Sequence, residues 1–385
     1  MSLGYSNIAF PSESELDTLS DFYQANYHYG SNAVTASASV SESFDSTRPT
    51  TQTNGCSTAM STNGNFLLVF EQRANFSITE GVGGTQTIYT ITGQSNNNWR
   101  GCVYSPITDE FVIIGSHIVI VNAQTGVATT LPLIWGTSTQ AWGGTYVDGK
   151  IYLAAYTSNQ TTIKVLDMVS RVVSTAITIP STKNFMASAL DRDGTIVWGT
   201  EEIDPKVKLY NLITDTYSVI SPTLPLAGYN GWAVLGDGRL WSSAFDRTSC
   251  VVYTPASMNN GTPITTDYSK GGLQNLGPWG MSFTGLDGNG YYVDSKGKSQ
   301  LGGIYSDIYG FDYKTNTWFL TQFKMPAANT YANRSNQNTI VLPDGRILMS
   351  GDAYQTQYHT VKMFEPLNTI TQERQVSGFI PNTSN

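Results

Sequence analysis

From about residue 55 onward the chain alternates short apolar runs with short polar punctuation, and the alternation repeats. Each copy holds two apolar runs around a turn signal: Asn63-Gly64, Thr108-Asp109, Asp148-Gly149, Asp193-Gly194, Asp237-Gly238, Asp287-Gly288 and Asp344-Gly345. Asn-Gly and Asp-Gly between β-branched and aromatic residues mark tight hairpins, because both central residues of the favoured two-residue turn take φ > 0. The seven turns lie 40 to 57 residues apart. In six copies a third apolar run then ends on a polar residue: Asn122, Asp167, Asn211, Thr254, Asp312 or Glu365. Asn and Asp accept hydrogen bonds from the backbone two residues on, so they open turns. The first copy lacks this phrase near Thr87 to Thr92.

A period of about 40–50 residues with several strands per unit predicts a propeller. The expected fold is all-β: a seven-bladed β-propeller of four-stranded antiparallel blades over 55–385, preceded by an N-terminal extension over 1–54. Length alone suggests two or three domains. The repeat overrides that expectation, because a blade cannot bury its faces without neighbours.

Two stretches resemble the kelch family, the galactose-oxidase type of propeller included. VLPDGRILMSGD (341–352) is similar to a kelch inner hairpin, and FDYKTNTW (311–318) to a kelch outer turn closing on Trp318. The resemblance spans roughly 55–376 at the level of period and turn phrases. Most copies lack the paired glycines after the second strand. It implies an architecture and no chemistry.

The first 54 residues stand apart. Leu16, Leu19, Phe22 and Tyr23 after Ser12 or Ser14 predict a short capped helix. AVTASASVSESF (33–44) alternates as a thin strand does. The Ser/Thr/Pro run to Thr53 reads as a linker. The arm either closes the ring or anchors it to a larger assembly.

Composition narrows the function classes. Only 13% of residues are charged, the net charge is −8, and 22 tyrosines stand among abundant Ser, Thr, Asn and Gly. Such surfaces suit extracellular or virion β-proteins. No basic stripe points to nucleic acid. No apolar run approaches the length of a spanning helix, and the N-terminus does not read as a secretory signal. The sequons at Asn75, Asn159, Asn260, Asn333 and Asn382 are attributed to chance in an Asn/Ser/Thr-rich chain. Cys56, Cys102 and Cys250 make no disulfide framework and are expected as small buried thiols.

Candidate chemistry is sparse. His28, His117 and His359 share no metal-ligand spacing, so the kelch resemblance brings no copper site. Glu201, Glu202 and Asp204 form an acidic cluster of the kind glycosidases use, although such acids are more often solvated turn residues. Asp287, Asn289 and Asp294 are a candidate calcium set on a glycine turn, with a plain hairpin as the competing reading. No other cofactor is indicated.

The aromatic pattern is the better lead. Rings precede or open the first strand of successive copies: Trp99, Trp142, Phe185, Trp232 and Trp279, with Tyr331 and Arg334 in a similar place before the last. Amides such as Asn230 accompany them. On a propeller these positions gather at one channel mouth, where rings stack on sugars and amides pair with hydroxyls. The competing role is packing between blades, favoured for most of the rings.

Three classes stay open. The leading one is a non-catalytic virion module, a phage spike, collar or tail protein. It binds a host surface glycan or protein receptor and meets other virion proteins through its arm, with no nucleic acid and no membrane insertion. The alternatives are a carbohydrate-active or oxidising secreted enzyme and an intracellular kelch-type scaffold.

Overall fold

The computed structural model describes residues 42–45, 56–70, 74–93, 99, 101–132, 140–157, 160–180, 185–190, 195–200, 207–211, 214–220, 231–237, 239–243, 249–253, 264–267, 281–293, 305–326, 339–342, 344–350 and 357–364. The proposed helix at 12–23, the turn Asp193-Gly194, Thr254, Glu365 and the acids at 201–204 lie outside them. Among the described residues every regular element is a strand. No helix there is long and apolar enough to cross a membrane.

The strands form four-stranded antiparallel sheets. Sheet 1 holds β2 (Cys56–Met60), β3 (Phe66–Phe70), β4 (Asn75–Thr79) and β5 (Gln86–Thr90). Sheet 2 holds β6 (Gly101–Ser105), β7 (Glu110–Ile114), β8 (Ile118–Asn122) and β9 (Ala128–Thr130). Sheet 3 holds β10 (Gln140–Val147), β11 (Lys150–Thr157), β12 (Gln160–Asp167) and β13 (Val173–Pro180). Sheet 4 holds β14 (Phe185–Leu190), β15 (Thr195–Thr200), β16 (Val207–Asn211) and β17 (Thr216–Ile220). Sheet 5 holds β18 (Gly231–Val234), β19 (Leu240–Ser243), β20 (Ser249–Tyr253) and β21 (Ile264–Asp267). Sheet 6 holds β22 (Met281–Thr284), β23 (Gly290–Val293), β24 (Tyr305–Asp312) and β25 (Thr317–Pro326).

Sheet 7 breaks the simple order. It runs β26 (Thr339–Val341), β27 (Arg346–Ser350), β28 (Gln357–Lys362) and then β1 (Glu42–Asp45). Its fourth strand therefore comes from the start of the chain. Glu42 lies opposite Thr360 and Asp45 opposite Gln357 in antiparallel register. These four residues of the segment read as an arm form a strand of this sheet, so the boundary drawn at 54 separates β1 from the strands it pairs with. The physical reason is an open edge: without β1 one side of β28 has no ladder partner.

The pattern of burial follows the sequence. EFVII in β7 and IVIVN in β8 are apolar on both faces, and β7 and β8 are buried apart from Glu110 and the terminal Asn122. A strand covered on both faces reads as a continuous apolar run. The fourth strand of sheet 1 is polar and open: QTIYT in β5 is exposed or half-buried throughout. First strands touch in succession, β2 with β6, β6 with β10, β10 with β14, β14 with β18, β18 with β22, β22 with β26, and β26 with β2. Apolar clusters fill the seams. Leu67, Val69 and Phe76 meet Phe111 and Ile113 between sheets 1 and 2. Met60, Phe66 and Leu68 meet Ile340, Leu342 and Leu348 between sheets 7 and 1.

The inner hairpins differ from expectation in one respect. Asp148 (φ 46) and Gly149 (φ 77) are both left-handed, as a two-residue turn requires. At Gly64, Gly288 and Gly345 the glycine alone is left-handed. There the loop has three residues. Gly345 N–H donates to the Leu342 carbonyl at 3.0 Å, and Leu342 N–H to Arg346 at 2.7 Å. This is a type I turn closed by a left-handed glycine, the next commonest hairpin connection.

Outer turns match the reading of their polar residues. Asn122 Oδ1 accepts from Gln124 N–H at 3.1 Å and Thr125 N–H at 2.9 Å. Asp167 Oδ1 accepts from Val169 at 3.1 Å and Ser170 at 2.8 Å. Asn211 and Asp312 do the same for Thr214 and Lys314. These bonds favour the Asp167 carboxylate and hold its pKa below the ordinary value.

Deleting residues 1–45 exposes the edge of β28. We expect a lower melting temperature and concentration-dependent association, measured by calorimetry and light scattering. Unchanged stability in the truncated chain contradicts the β1–β28 pairing.

Candidate functional site

The residues proposed for a ligand face do not share one environment. Trp99 is 2% exposed and packs in the seam between sheets 1 and 2 with Ile91, Cys102 and Phe111. Its ring lies in the core and has no surface to offer a ligand. Cys102 in the same cluster is buried and in no disulfide, as the cysteine reading anticipates. Trp142 lies in β10, Phe185 opens β14, and Trp232 is the second residue of β18. Asn230, Trp279, Tyr331 and Arg334 fall outside the described residues, as does Asp294.

Two of these positions sit at irregularities. In the β10–β11 pair the register shifts between Ala141 and Gly144, so Trp142 and Gly143 are the two residues that bulge. In β14–β15 it shifts between Phe185 and Ala187. Both bulges fall at the entrance to a first strand. Bulges bend a strand, re-aim a side chain and concentrate beside functional sites.

Asp287 and Asn289 belong to the inner hairpin of sheet 6. Asp287 is 3% exposed. Its Oδ1 accepts from Asn289 N–H at 3.1 Å, and its Oδ2 accepts from Asn289 Nδ2 at 3.0 Å and from the Tyr291 hydroxyl at 2.5 Å. Burial raises its pKa to about 6, against the lowering effect of these three donors. Burial and the Asp287 charge push the Tyr291 phenol well above its ordinary range, so it remains a donor. Asn289 Oδ1 in turn accepts from Tyr313 N–H at 3.3 Å. The pair thus ties the hairpin to the outer turn of its own sheet. Among the described residues no cluster of three or more His, Cys, Asp or Glu is placed to hold a metal ion.

Sheets 5 and 7 carry the same device with an arginine. Asp237 Oδ1 accepts from Arg239 N–H at 3.1 Å and Oδ2 from Arg239 Nε at 2.5 Å. Asp344 and Arg346 repeat it at 3.0 and 2.6 Å. Asp-Gly-Arg recurs at 237–239 and 344–346, so the arginine was visible in the sequence although its partner was not. Trp318, which closes the outer turn of sheet 6, packs on Trp241 of sheet 5 with ring centroids 5.3 Å apart. Its place is the seam between those sheets.

No known protein family and no curated protein matches the chain. Solved structures do. A streptogramin B lyase aligns with a TM-score of 0.62 at 14% identity, covering 83% of this chain and 96% of the other. YCF48 bound to D1 peptide aligns with a TM-score of 0.62 at 12% identity, covering 85% and 98%. The WD40 repeats of RRP9 align with a TM-score of 0.59 at 9% identity, covering 84% and 100%. WD40 repeats build β-propellers. The chain accordingly has an all-β, propeller-type fold. At these identities the likeness concerns fold alone.

Two outcomes follow from the packing. Trp99→Ala is expected to cost about 3–5 kcal/mol of stability, as for other buried large rings, read from denaturant unfolding. A loss below about 1 kcal/mol contradicts its place in the seam.

Asp287 gives a pH signature. Its folded pKa lies above its ordinary 3.8, so the native state holds this proton more tightly than the unfolded chain. That stabilisation is complete below about pH 4 and is lost as pH rises through about 6, a change of about 3 kcal/mol. Asp287→Asn removes it. Unfolding free energies of both proteins from pH 3.5 to 7 should show wild type losing stability relative to the variant over this window. Parallel curves contradict the assignment.

Proposed function

We propose that the chain is a seven-bladed, kelch-like propeller that acts as a non-catalytic recognition module on a virion. Its channel-mouth rim binds a host surface glycan or receptor, and its N-terminal extension attaches it to other virion proteins. The observation that carries the binding reading is the pair of bulges at the entrances to β10 and β14, at Trp142-Gly143 and beside Phe185. First strands touch in succession around the sheets, which supports reading their entrances as one rim. Trp142, Phe185 and Trp232 occupy these entrances, and Asn230, Trp279, Tyr331 and Arg334 are their counterparts along the chain.

The low charge and the abundance of Ser, Thr, Asn and Tyr support an extracellular or virion setting. YCF48 is bound to a peptide, which illustrates recognition on a related architecture. Aromatic anchors at such sites contribute about 2 kcal/mol or more to binding. Trp142→Ala and Trp232→Ala are therefore expected to weaken adsorption to host cells or arrayed glycans by about thirtyfold per folded molecule. Melting temperatures taken in parallel separate binding from folding. Full adsorption by both variants, or loss only in proportion to unfolding, overturns the rim reading.

A further inference from the structure

The seams between sheets carry a recurring polar latch. At two seams the residue that opens or directly precedes the second strand of one sheet reaches the outer turn of the next sheet. Glu110 of sheet 2 pairs with Arg171, the left-handed residue of the outer turn of sheet 3. Arg239 of sheet 5 donates to Asn316 Oδ1 at 2.7 Å and to the Tyr313 carbonyl, both in the outer turn of sheet 6. Asn316 is again the left-handed residue of that turn.

Between sheets 1 and 2 the corresponding residues are Asn65 and Gly126. Gly126 has φ 69, and a Cβ there would stand 2.1 Å from the Tyr89 ring. Tyr89 comes from β5 of sheet 1 and stacks on Phe76 with centroids 5.2 Å apart. The ring demands a glycine, and the glycine supplies no latch side chain. Beside it lies a recess of about 280 Å3 lined by Asn65, Ile78, Glu80, Thr87, Tyr89 and Gln124.

The recess has polar walls. Gln124 Nε2 donates to Asp109 Oδ2 at 2.9 Å, which commits the donor side of this carboxamide. Asp109 is itself held by the Tyr104 hydroxyl at 2.7 Å. Glu80 adds an exposed carboxylate at the rim. Its volume falls below the roughly 300–1,000 Å3 of clefts that hold drug-sized molecules. It suits one side chain.

We propose that this recess receives the guanidinium of an arginine from a partner polypeptide. The partner would supply from outside what Arg171 supplies from within at the next seam. Guanidinium has five donors and no acceptor, which matches the Glu80 carboxylate and the amide oxygens of Asn65 and Gln124.

N-acetyl-arginine amide, titrated against the full chain by ligand-observed NMR, tests this directly, with N-acetyl-citrulline amide and methyl glucoside as neutral comparators. Saturable binding is expected for arginine alone, and it weakens as salt screens the pair. Glu80→Gln should weaken it about fivefold, the effect of one partly screened charge pair, and Gln124→Ala should weaken it further. Melting temperatures verify that both variants fold. Equal binding of citrulline or the glucoside, absent binding of arginine, or unchanged affinity in folded Glu80→Gln overturns the proposal.

Discussion

Sheet 2 has two apolar faces, and each is covered by a neighbouring sheet. That constraint organises the rest. β7 and β8 bury their apolar residues to both sides, so sheet 2 is stable only between sheets 1 and 3. A burial of about 1.5–3 kcal/mol for each large side chain sets the scale of what an uncovered face would lose. The first and last sheets in the chain would each keep one face open. The structure resolves this by packing them on each other, through Met60, Phe66 and Leu68 against Ile340, Leu342 and Leu348. Insertion of β1 as the edge strand of sheet 7 joins the chain ends by hydrogen bonds as well.

Polar chemistry is confined to what this packing leaves over. Tight turns sit at the ends of the sheets, where Asx side chains satisfy the backbone. Where two turns meet, space becomes limiting. Gly236 N–H donates to the Gly288 carbonyl at 2.9 Å across sheets 5 and 6, and a Cβ on Gly236 would stand 3.0 Å from the Gly288 Cα. The Asp287 carboxyl lies buried in the same hairpin, and three donors offset part of the desolvation that raises its pKa. The latches form a second layer with interchangeable chemistry. Glu110 with Arg171 and Arg239 with Asn316 use the same two positions with reversed roles. Lys150 and Asp215 stand at those positions between sheets 3 and 4, and burial, together with the Asp215 charge, raises the Tyr152 phenol of sheet 3.

What the sequence revealed was local. Asx side chains at 122, 167, 211 and 312 act within three residues, so their turns could be read directly. The hairpin positions were legible for the same reason. The turn type was not, because a three-residue loop closed by one left-handed glycine presents the same Asp-Gly pair as a two-residue one. Non-local contacts were invisible. Nothing in ESFD (42–45) indicates that it pairs with residues near 358. Trp99 reads as a rim residue until sheet 1 is laid over it. Glu110 and Arg171 are separated by a whole sheet in the chain, and neither sits in a recognisable motif. Asp287 was singled out for its type and spacing, but Tyr291 and the covering Phe364 of sheet 7 decide its environment.

The pairing of the chain's two ends can be measured by engineered cross-linking. Ser43 lies directly opposite His359 in the β1–β28 register. Cross-strand partners lie about 4.5–5.5 Å apart at Cα, within disulfide range. Ser43→Cys with His359→Cys, in a background with the three native cysteines replaced by serine or alanine, should oxidise to an intramolecular bridge. Peptide mapping under non-reducing conditions would show residue 43 joined to residue 359 in a monomer, with a raised melting temperature. Two free thiols after oxidation of the folded protein, or bridges only between molecules, would contradict closure of the last sheet by the first strand.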